Sequence, residues 1–154
     1  MFEIHVNFLE QQIPKGAYSK MSIDEIYDYL SWDACLTITH NNQNLFLEEV
    51  PIIEFYWYLV NWYCRCLVGN KDQFVYSTIE HIEPILVFSP QQNHYWEIDS
   101  IWKQCDKAAL IEEETLYFEV HKLLKRIKGE IEKSGDVSTS SDDDQQYRQT
   151  YRQQ

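Results

Sequence analysis

The stretch that decides the fold is residues 50–68, VPIIEFYWYLVNWYCRCLV. Apolar and aromatic side chains cover almost its whole circumference, and its strongly polar members are Glu54, Asn61 and Arg65. On a helix of about 3.6 residues per turn these three side chains share one narrow stripe. A helix that is apolar on every other side must be covered by other elements. The sequence therefore predicts a buried, aromatic-rich helix over about residues 51–67.

The residues around this helix predict its limits and the element before it. Pro51 suits the first turn, where its missing N–H would be unpaired anyway, and Gly69 suits the C-terminal stop. Upstream, residues 34–39 and 45–48 are short β-patterned runs. The segment between them, residues 40–44, contains asparagines, which tolerate the left-handed conformations of tight turns. We expect a β-hairpin that leads into the helix.

Further apolar patterns complete the predicted fold. Alternation predicts strands, and a 3.6-residue period predicts helices. The predicted strands cover about residues 2–9, 73–79, 85–89 and 95–102, and two more helices cover about 22–32 and 112–133. Together they indicate an α+β protein with a largely antiparallel sheet of about five to six strands packed with three helices, one of them the buried aromatic-rich helix. The pattern leaves the strand order open.

Composition indicates one domain and a tail. The chain has 154 residues, 44% of them hydrophobic, which is enough for one sizeable core. We expect a single α+β domain over residues 1–133. Residues 134–154 are polar and show no apolar period, so we expect a disordered tail.

Charge is unevenly distributed and mostly negative. The formal net charge is −12, and residues 1–121 hold 6 Lys or Arg against 19 Asp or Glu, whereas residues 122–133 hold 5 against 2. An acidic body repels phosphate backbones and attracts basic proteins. The charge therefore disfavours nucleic acid as a partner and favours a basic protein, although it also serves solubility alone.

The apolar helix does not have the character of a membrane span, because it carries Glu54 and Arg65 and has no basic flank. No secretory signal pattern opens the sequence, and the four cysteines are expected to be reduced thiols. These features predict a cytoplasmic protein that does not enter the membrane.

No motif for catalysis, metal or cofactor binding accompanies the apolar core. The five histidines are scattered singly, without metal-ligand spacing to one another or to a cysteine. The four glycines form neither a P-loop nor a dinucleotide-binding pattern. We expect no metal, no cofactor and no enzymatic activity.

Two segments carry a resemblance to known families. They are LTITHNNQNLFLEEVPIIEFYWYLVNW, residues 36–62, and YWEIDSIW, residues 95–102. This hairpin, proline-started aromatic helix and aromatic strand resemble a group of small uncharacterised bacterial proteins. They are also similar to many bacterial immunity proteins, which are short, acidic and cytosolic α+β domains that guard against toxins. The resemblance implies a binding function and assigns no role to any residue.

The first functional hypothesis is a non-catalytic binding protein. It would be a bacterial immunity or antitoxin-type inhibitor that neutralises a basic protein partner, such as a toxin, by electrostatically steered docking. A phage-encoded inhibitor is a related form of this idea. The candidate partner-binding residues lie near the first predicted helix and the hairpin, with two aromatic anchors: Asp24, Asp28, Asp33, Glu48, Glu49, Tyr27 and Trp32.

The alternatives belong to other classes. A small-molecule sensor or an enzyme would have a pocket between the aromatic helix and the sheet. Its candidate lining residues are Tyr58, Asn61, Trp62, Arg65 and Trp96. A third possibility is a homodimer formed through exposed aromatic side chains.

Overall fold

The computed structural model describes residues 1–9, 32–78 and 80–134. Within these ranges the chain forms seven strands and two helices. In chain order they are β1 (Phe2–Phe8), β2 (Asp33–His40), β3 (Gln43–Pro51), α1 (Ile52–Leu67), β4 (Phe74–Tyr76), β5 (Leu86–Pro90), β6 (Tyr95–Asp99), β7 (Ala109–Glu112) and α2 (Glu113–Ser134). A short 3₁₀ turn, Gln92–His94, joins β5 to β6.

The strands form two antiparallel sheets, one of three strands in the order β1-β2-β3 and one of four in the order β4-β5-β6-β7. The prediction of one sheet of five to six strands with three helices is therefore wrong, although the α+β class is correct. The described residues contain two helices, and the predicted helix over residues 22–32 lies outside them except for Trp32.

A loop covers the outer edge of β3 near its start. The backbone N–H of Gln104 donates to the carbonyl oxygen of Asn44 at 3.0 Å, and the Asn44 side-chain amide donates to that of Gln104 at 3.2 Å. Backbone groups that are already paired cannot bond a further strand. At its other end β3 turns directly into α1 at Pro51, so no strand continues the ladder there.

The hairpin and the limits of α1 agree with the sequence prediction. Asn41 and Asn42, between β2 and β3, have φ values of 51° and 65°, which is the left-handed conformation expected of a two-residue turn. Helix α1 begins after Pro51, and Gly69 has a φ of 91° just beyond its end. The Gly69 N–H donates to the Cys66 carbonyl at 3.0 Å, which closes the last helical turn.

Strand β7 is the element that the sequence pattern did not predict. Ala109 and Ile111 are buried, whereas Leu110 and Glu112 are exposed, so the residues do alternate. The strand is only four residues long and runs directly into α2. Such a short alternation is hidden by the stronger helical pattern that follows it.

The core is centred on Trp62 of α1, which is 1% exposed. Its ring lies 5.2 Å from that of Trp96, 5.6 Å from Phe74 and 5.5 Å from Phe88, so α1 packs across three strands of the four-stranded sheet. Its indole N–H donates to the carbonyl oxygen of Asp72 at 2.8 Å. The aromatic-rich helix is therefore buried on this side, as predicted.

A buried carboxylate joins the first strand to the last helix. Glu119 of α2 is 5% exposed and accepts a hydrogen bond from the Ile4 backbone N–H at 3.2 Å. Lys122 donates to its other oxygen at 2.7 Å. Because β1 is an edge strand, Ile4 would otherwise present a backbone donor without a strand partner.

Candidate partner-binding cleft

An acidic cleft of about 360 Å³ lies where five separate segments meet. These segments are the start of β2, the end of β3, the first turn of α1, the loop between β4 and β5 and the loop between β6 and β7. Four carboxylates line the cleft: Asp33, Glu49, Glu54 and Glu80. Two of the acidic residues proposed from the sequence, Asp33 and Glu49, are thus brought together.

The strand register explains how Asp33 and Glu49 become neighbours. Asp33 opens β2 and lies opposite Pro51, and Glu49 lies opposite Cys35, so the two acidic residues occupy the same end of the hairpin. Glu54 joins them because α1 begins directly after Pro51. Local connections therefore place three carboxylates at one end of the three-stranded sheet.

Mutual repulsion is evident at Asp33. Burial raises the pKa of this carboxyl above its ordinary value, and the negative charges of Glu49 and Glu80 raise it further. No lysine or arginine is among the described residues that line the cleft. The described lining of the cleft is therefore acidic, a character that favours a positively charged group there.

An aromatic wall completes the cleft. Trp102 and His81 both line it, and their rings meet edge to face with centroids 4.8 Å apart. The His81 Nδ1 atom lies 2.8 Å from the hydroxyl oxygen of Thr78, which holds the imidazole in place. Trp102 and His81 thus give this side of the cleft an aromatic surface beside the carboxylates.

The other proposed partner-binding residues are placed differently. Glu48 is exposed on β3. Trp32 is only 4% exposed, and its ring packs 5.1 Å from that of Phe8, so it belongs to the core. Asp24, Tyr27 and Asp28 lie outside the described residues.

The residues proposed for a pocket between α1 and the sheet do not line a common hollow. Trp62 and Trp96 are buried, and their rings pack edge to face. Tyr58, Asn61 and Arg65 lie on the exposed side of α1. The space between helix and sheet is thus filled by rings where those two tryptophans meet.

Sequence reasoning missed Glu80, His81 and Trp102 as members of a site, and it placed Glu54 on the polar stripe of α1. Glu80 and His81 belong to a loop without apolar period, and the alternation of residues 95–102 predicts a strand that includes Trp102. The one local signal for a site here is the adjacent pair Glu80 and His81, in a loop after a short strand. Their convergence depends on how the two sheets pack, which no spacing in the sequence encodes.

A second polar cluster surrounds Glu113, the first residue of α2. Lys71 donates to both of its oxygens at 2.7 Å, the Trp96 indole N–H donates at 3.1 Å, and the His94 Nδ1 atom lies 3.5 Å away. Asn93 and His94 both have φ values near +60° in the adjoining turn, at 59° and 60°. Because Lys71 already neutralises this carboxylate, the cluster serves to join α2 to its neighbours rather than to attract a cation.

The described residues offer no ready-made metal centre. No group of three or more His, Cys, Asp or Glu residues in these ranges is arranged to hold a metal ion. Neither described helix combines the length and apolar character needed to cross a membrane.

Asp33→Asn is expected to stabilise the folded protein at neutral pH by on the order of 0.5 kcal/mol, because it removes a partly buried charge that two neighbouring carboxylates repel. Because the pKa of Asp33 is raised, its own contribution to stability is lost as pH rises from the unfolded value of 3.8 through the folded value. Urea unfolding at acidic and neutral pH measures both effects. Equal stability of the two proteins at neutral pH would contradict this account of the cleft.

The fold and the cleft together define a small α+β domain with two antiparallel sheets and an acidic hollow at their junction. Residues 6–133 match a family described as a domain of unknown function, DUF7878, and the chain belongs to that family. The match confirms the predicted resemblance to an uncharacterised family. It gives no evidence for a likeness to immunity proteins. None of the curated proteins and none of the solved structures compared with the chain matches it.

Proposed function

We propose that this protein is a non-catalytic binding protein that engages a basic protein partner through the face containing the acidic cleft. The observation that carries the proposal is the convergence of Asp33, Glu49, Glu54 and Glu80 on one cleft without a lysine or arginine among its described lining residues. Grouped like charges oppose folding, and a positively charged partner would relieve that repulsion.

The surrounding charge supports the same function. Glu48 is also exposed on β3, although its side chain projects from the face of the strand opposite to that of Glu49. The body of the chain, residues 1–121, carries 19 acidic against 6 basic residues. Such a surface speeds encounter with a basic partner at low ionic strength and repels phosphate backbones.

The inhibitor form of the proposal names the partner as a bacterial toxin that this protein neutralises in the cytoplasm. That form rests on the sequence resemblance to immunity proteins. The four cysteines, Cys35, Cys64, Cys66 and Cys105, are all free thiols, which agrees with a reducing compartment. Binding of a basic protein to the acidic face does not require that this protein be a toxin.

Affinity capture from the native host tests the proposal. Immobilised full-length protein should retain a basic protein at low ionic strength and release it at high ionic strength. The double variant Glu49→Gln/Glu80→Gln removes two charges from the cleft and should weaken the affinity for that protein by about tenfold. Binding of the purified partner at two salt concentrations gives the measurement.

The matched control is Asp106→Asn/Glu132→Gln, which removes the same net charge from exposed positions outside the cleft. It should weaken binding clearly less than the cleft variant does, because neither of its side chains lines the cleft. Retention that ignores salt, or that falls equally in both double variants, would refute recognition through this face.

A further inference from the structure

The outward side of α1 carries an exposed apolar surface. The buried residues of the helix share its other side, where Trp62 packs on the four-stranded sheet. On the outward side, including the residue just beyond the helix, four large apolar side chains are each more than half exposed: Trp57, Tyr58, Leu67 and Val68. Large exposed apolar patches on proteins mark sites of interaction. The outward side of α1 is therefore a candidate contact surface.

A polar stripe runs along one border of this surface. Its members, Glu54, Tyr58, Asn61 and Arg65, follow one another at spacings of four, three and four residues, so they lie on one line along the helix. The stripe begins with a negative charge and ends with a positive charge about three helical turns later. Among the described residues, neither Glu54 nor Arg65 forms an ion pair. Both charges are thus available to a partner.

The order of these residues makes the polar stripe complementary to a second copy of itself. If two α1 helices meet antiparallel across a two-fold axis between residues 59 and 60, Glu54 of each copy lies opposite Arg65 of the other. Tyr58 of each copy then lies opposite Asn61 of the other, and a hydroxyl and an amide can form a hydrogen bond. A parallel pair would instead place like charges opposite each other. A two-fold contact requires a self-complementary surface of this kind.

The same antiparallel arrangement also brings the apolar surfaces together. A two-fold axis perpendicular to both helices places corresponding sides of the two helices next to each other. The two polar stripes therefore share one side of the contact, and the apolar residues share the other. By its position along the helix, Trp57 of one copy lies between Val60 and Cys64 of the second copy. The contact would cover the indole ring of Trp57, which is exposed in the single chain.

We propose that this protein forms a two-fold symmetric homodimer through the outward sides of two antiparallel α1 helices. Glu54 pairs with Arg65 of the second copy, and Trp57 supplies the apolar contact. The inference goes beyond the proposed function and does not depend on it, since Glu54 is the one cleft carboxylate that belongs to the polar stripe. A contact built on one helix is small, so we expect a dimer with a dissociation constant of roughly 10–100 µM.

Sedimentation equilibrium of the full-length protein tests the dimer. Between about 5 µM and 1 mM the average mass should rise from that of the monomer, 18.6 kDa, towards twice that value. Arg65→Glu and Glu54→Arg each place like charges opposite each other at both ends of the contact. Each variant alone should therefore dimerise at least about tenfold more weakly than the wild type.

An equimolar mixture of Arg65→Glu and Glu54→Arg tests the antiparallel register. In the mixed dimer one copy has negative charges at positions 54 and 65, and the other copy has positive charges at both. Opposite charges then meet at each end, so the mixture should dimerise within about threefold of the wild type. The mixture restores the charge pairs without restoring either original residue in the variant copies, which separates pairing from any effect on the fold of one chain.

Two further variants test the apolar contact and the specificity of the charge effect. Trp57→Ala should weaken the dimer by at least about tenfold, as expected for an aromatic anchor at the centre of a contact. Its monomer should remain folded, because the side chain is exposed in the single chain. Lys125→Glu makes the same change of charge as Arg65→Glu at an exposed position of α2 and should dimerise like the wild type.

Three results would overturn the proposal. The first is a monomer at every concentration, which would leave the outward side of α1 to a different partner. The second is a dimer that Arg65→Glu and Trp57→Ala leave unchanged. The third is a mixture of the two charge variants that stays monomeric while the wild type dimerises. Capture of a basic protein is a separate measurement, so the dimer and the proposed function can fail independently.

Discussion

Trp62→Ala is expected to lower the free energy of unfolding by about 3–5 kcal/mol, the range found when large aromatic side chains are removed from cores. The side chain is 1% exposed and contacts aromatic rings from β4, β5 and β6. The variant also removes the indole donor that pairs with the Asp72 carbonyl. Equilibrium urea unfolding followed by circular dichroism measures the loss.

Trp57→Ala provides the matched control on the same helix. Trp57 is 59% exposed, so its removal should cost less than about 1 kcal/mol. If the two variants lose equal stability, or if Trp62→Ala unfolds at the wild-type urea concentration, α1 does not pack on the four-stranded sheet as described. The comparison isolates burial, because helix and residue type are the same.

Glu113→Ala is expected to have the second largest effect, a loss of about 2–3 kcal/mol. The side chain of Glu113 is 16% exposed and accepts hydrogen bonds from Lys71 and the Trp96 indole N–H. Trp96 is 0% exposed, so the variant leaves a buried donor without its partner. Thermal unfolding at neutral pH measures the loss, and Glu114→Ala, at an exposed neighbouring position, should change stability by only a few tenths of a kcal/mol.

The contribution of Glu113 should depend on pH in a defined direction. Burial alone would raise its pKa, but the hydrogen bonds from Lys71 and Trp96 outweigh burial and hold the pKa below its ordinary value of 4.5. Its stabilisation is therefore complete above pH 4.5 and is lost as pH falls through the lower, folded value. The stability difference between wild type and Glu113→Gln should shrink below that pH, and a difference that grows there would contradict the assignment.

The local elements of the fold could be predicted because their signals are local. The Asn41-Asn42 turn requires left-handed backbone, and Gly69 closes α1 with a positive φ. The apolar period of α2 predicts that helix over residues 112–133, and it is observed over Glu113–Ser134. Each of these signals depends on a few neighbouring residues, and their types restrict the backbone conformation of that segment.

The division into two sheets could not be predicted in the same way. It involves a loop that meets the edge of β3 through Gln104 and Asn44, which are far apart in the chain, and a strand of four residues, β7. Neither leaves a periodic signal, since the loop has none and the strand is too short. Alternation shows which residues share a face but not which strands pair.

The acidic cleft could be predicted from the sequence only in part. Asp33 and Glu49 could be selected from the sequence because they flank one hairpin, whose register is short-range. Glu80 and Trp102 reach the cleft only after the two sheets pack together. The acidic character of the site was thus predictable, whereas its aromatic wall was not.

The buried bond between Glu119 and Ile4 has a consequence for how this protein behaves at high concentration. An uncovered border strand can recruit a strand from another molecule and extend into a fibril. The Glu119 carboxylate on α2 already accepts the hydrogen bond of the Ile4 amide, so a strand from another molecule cannot pair with that amide.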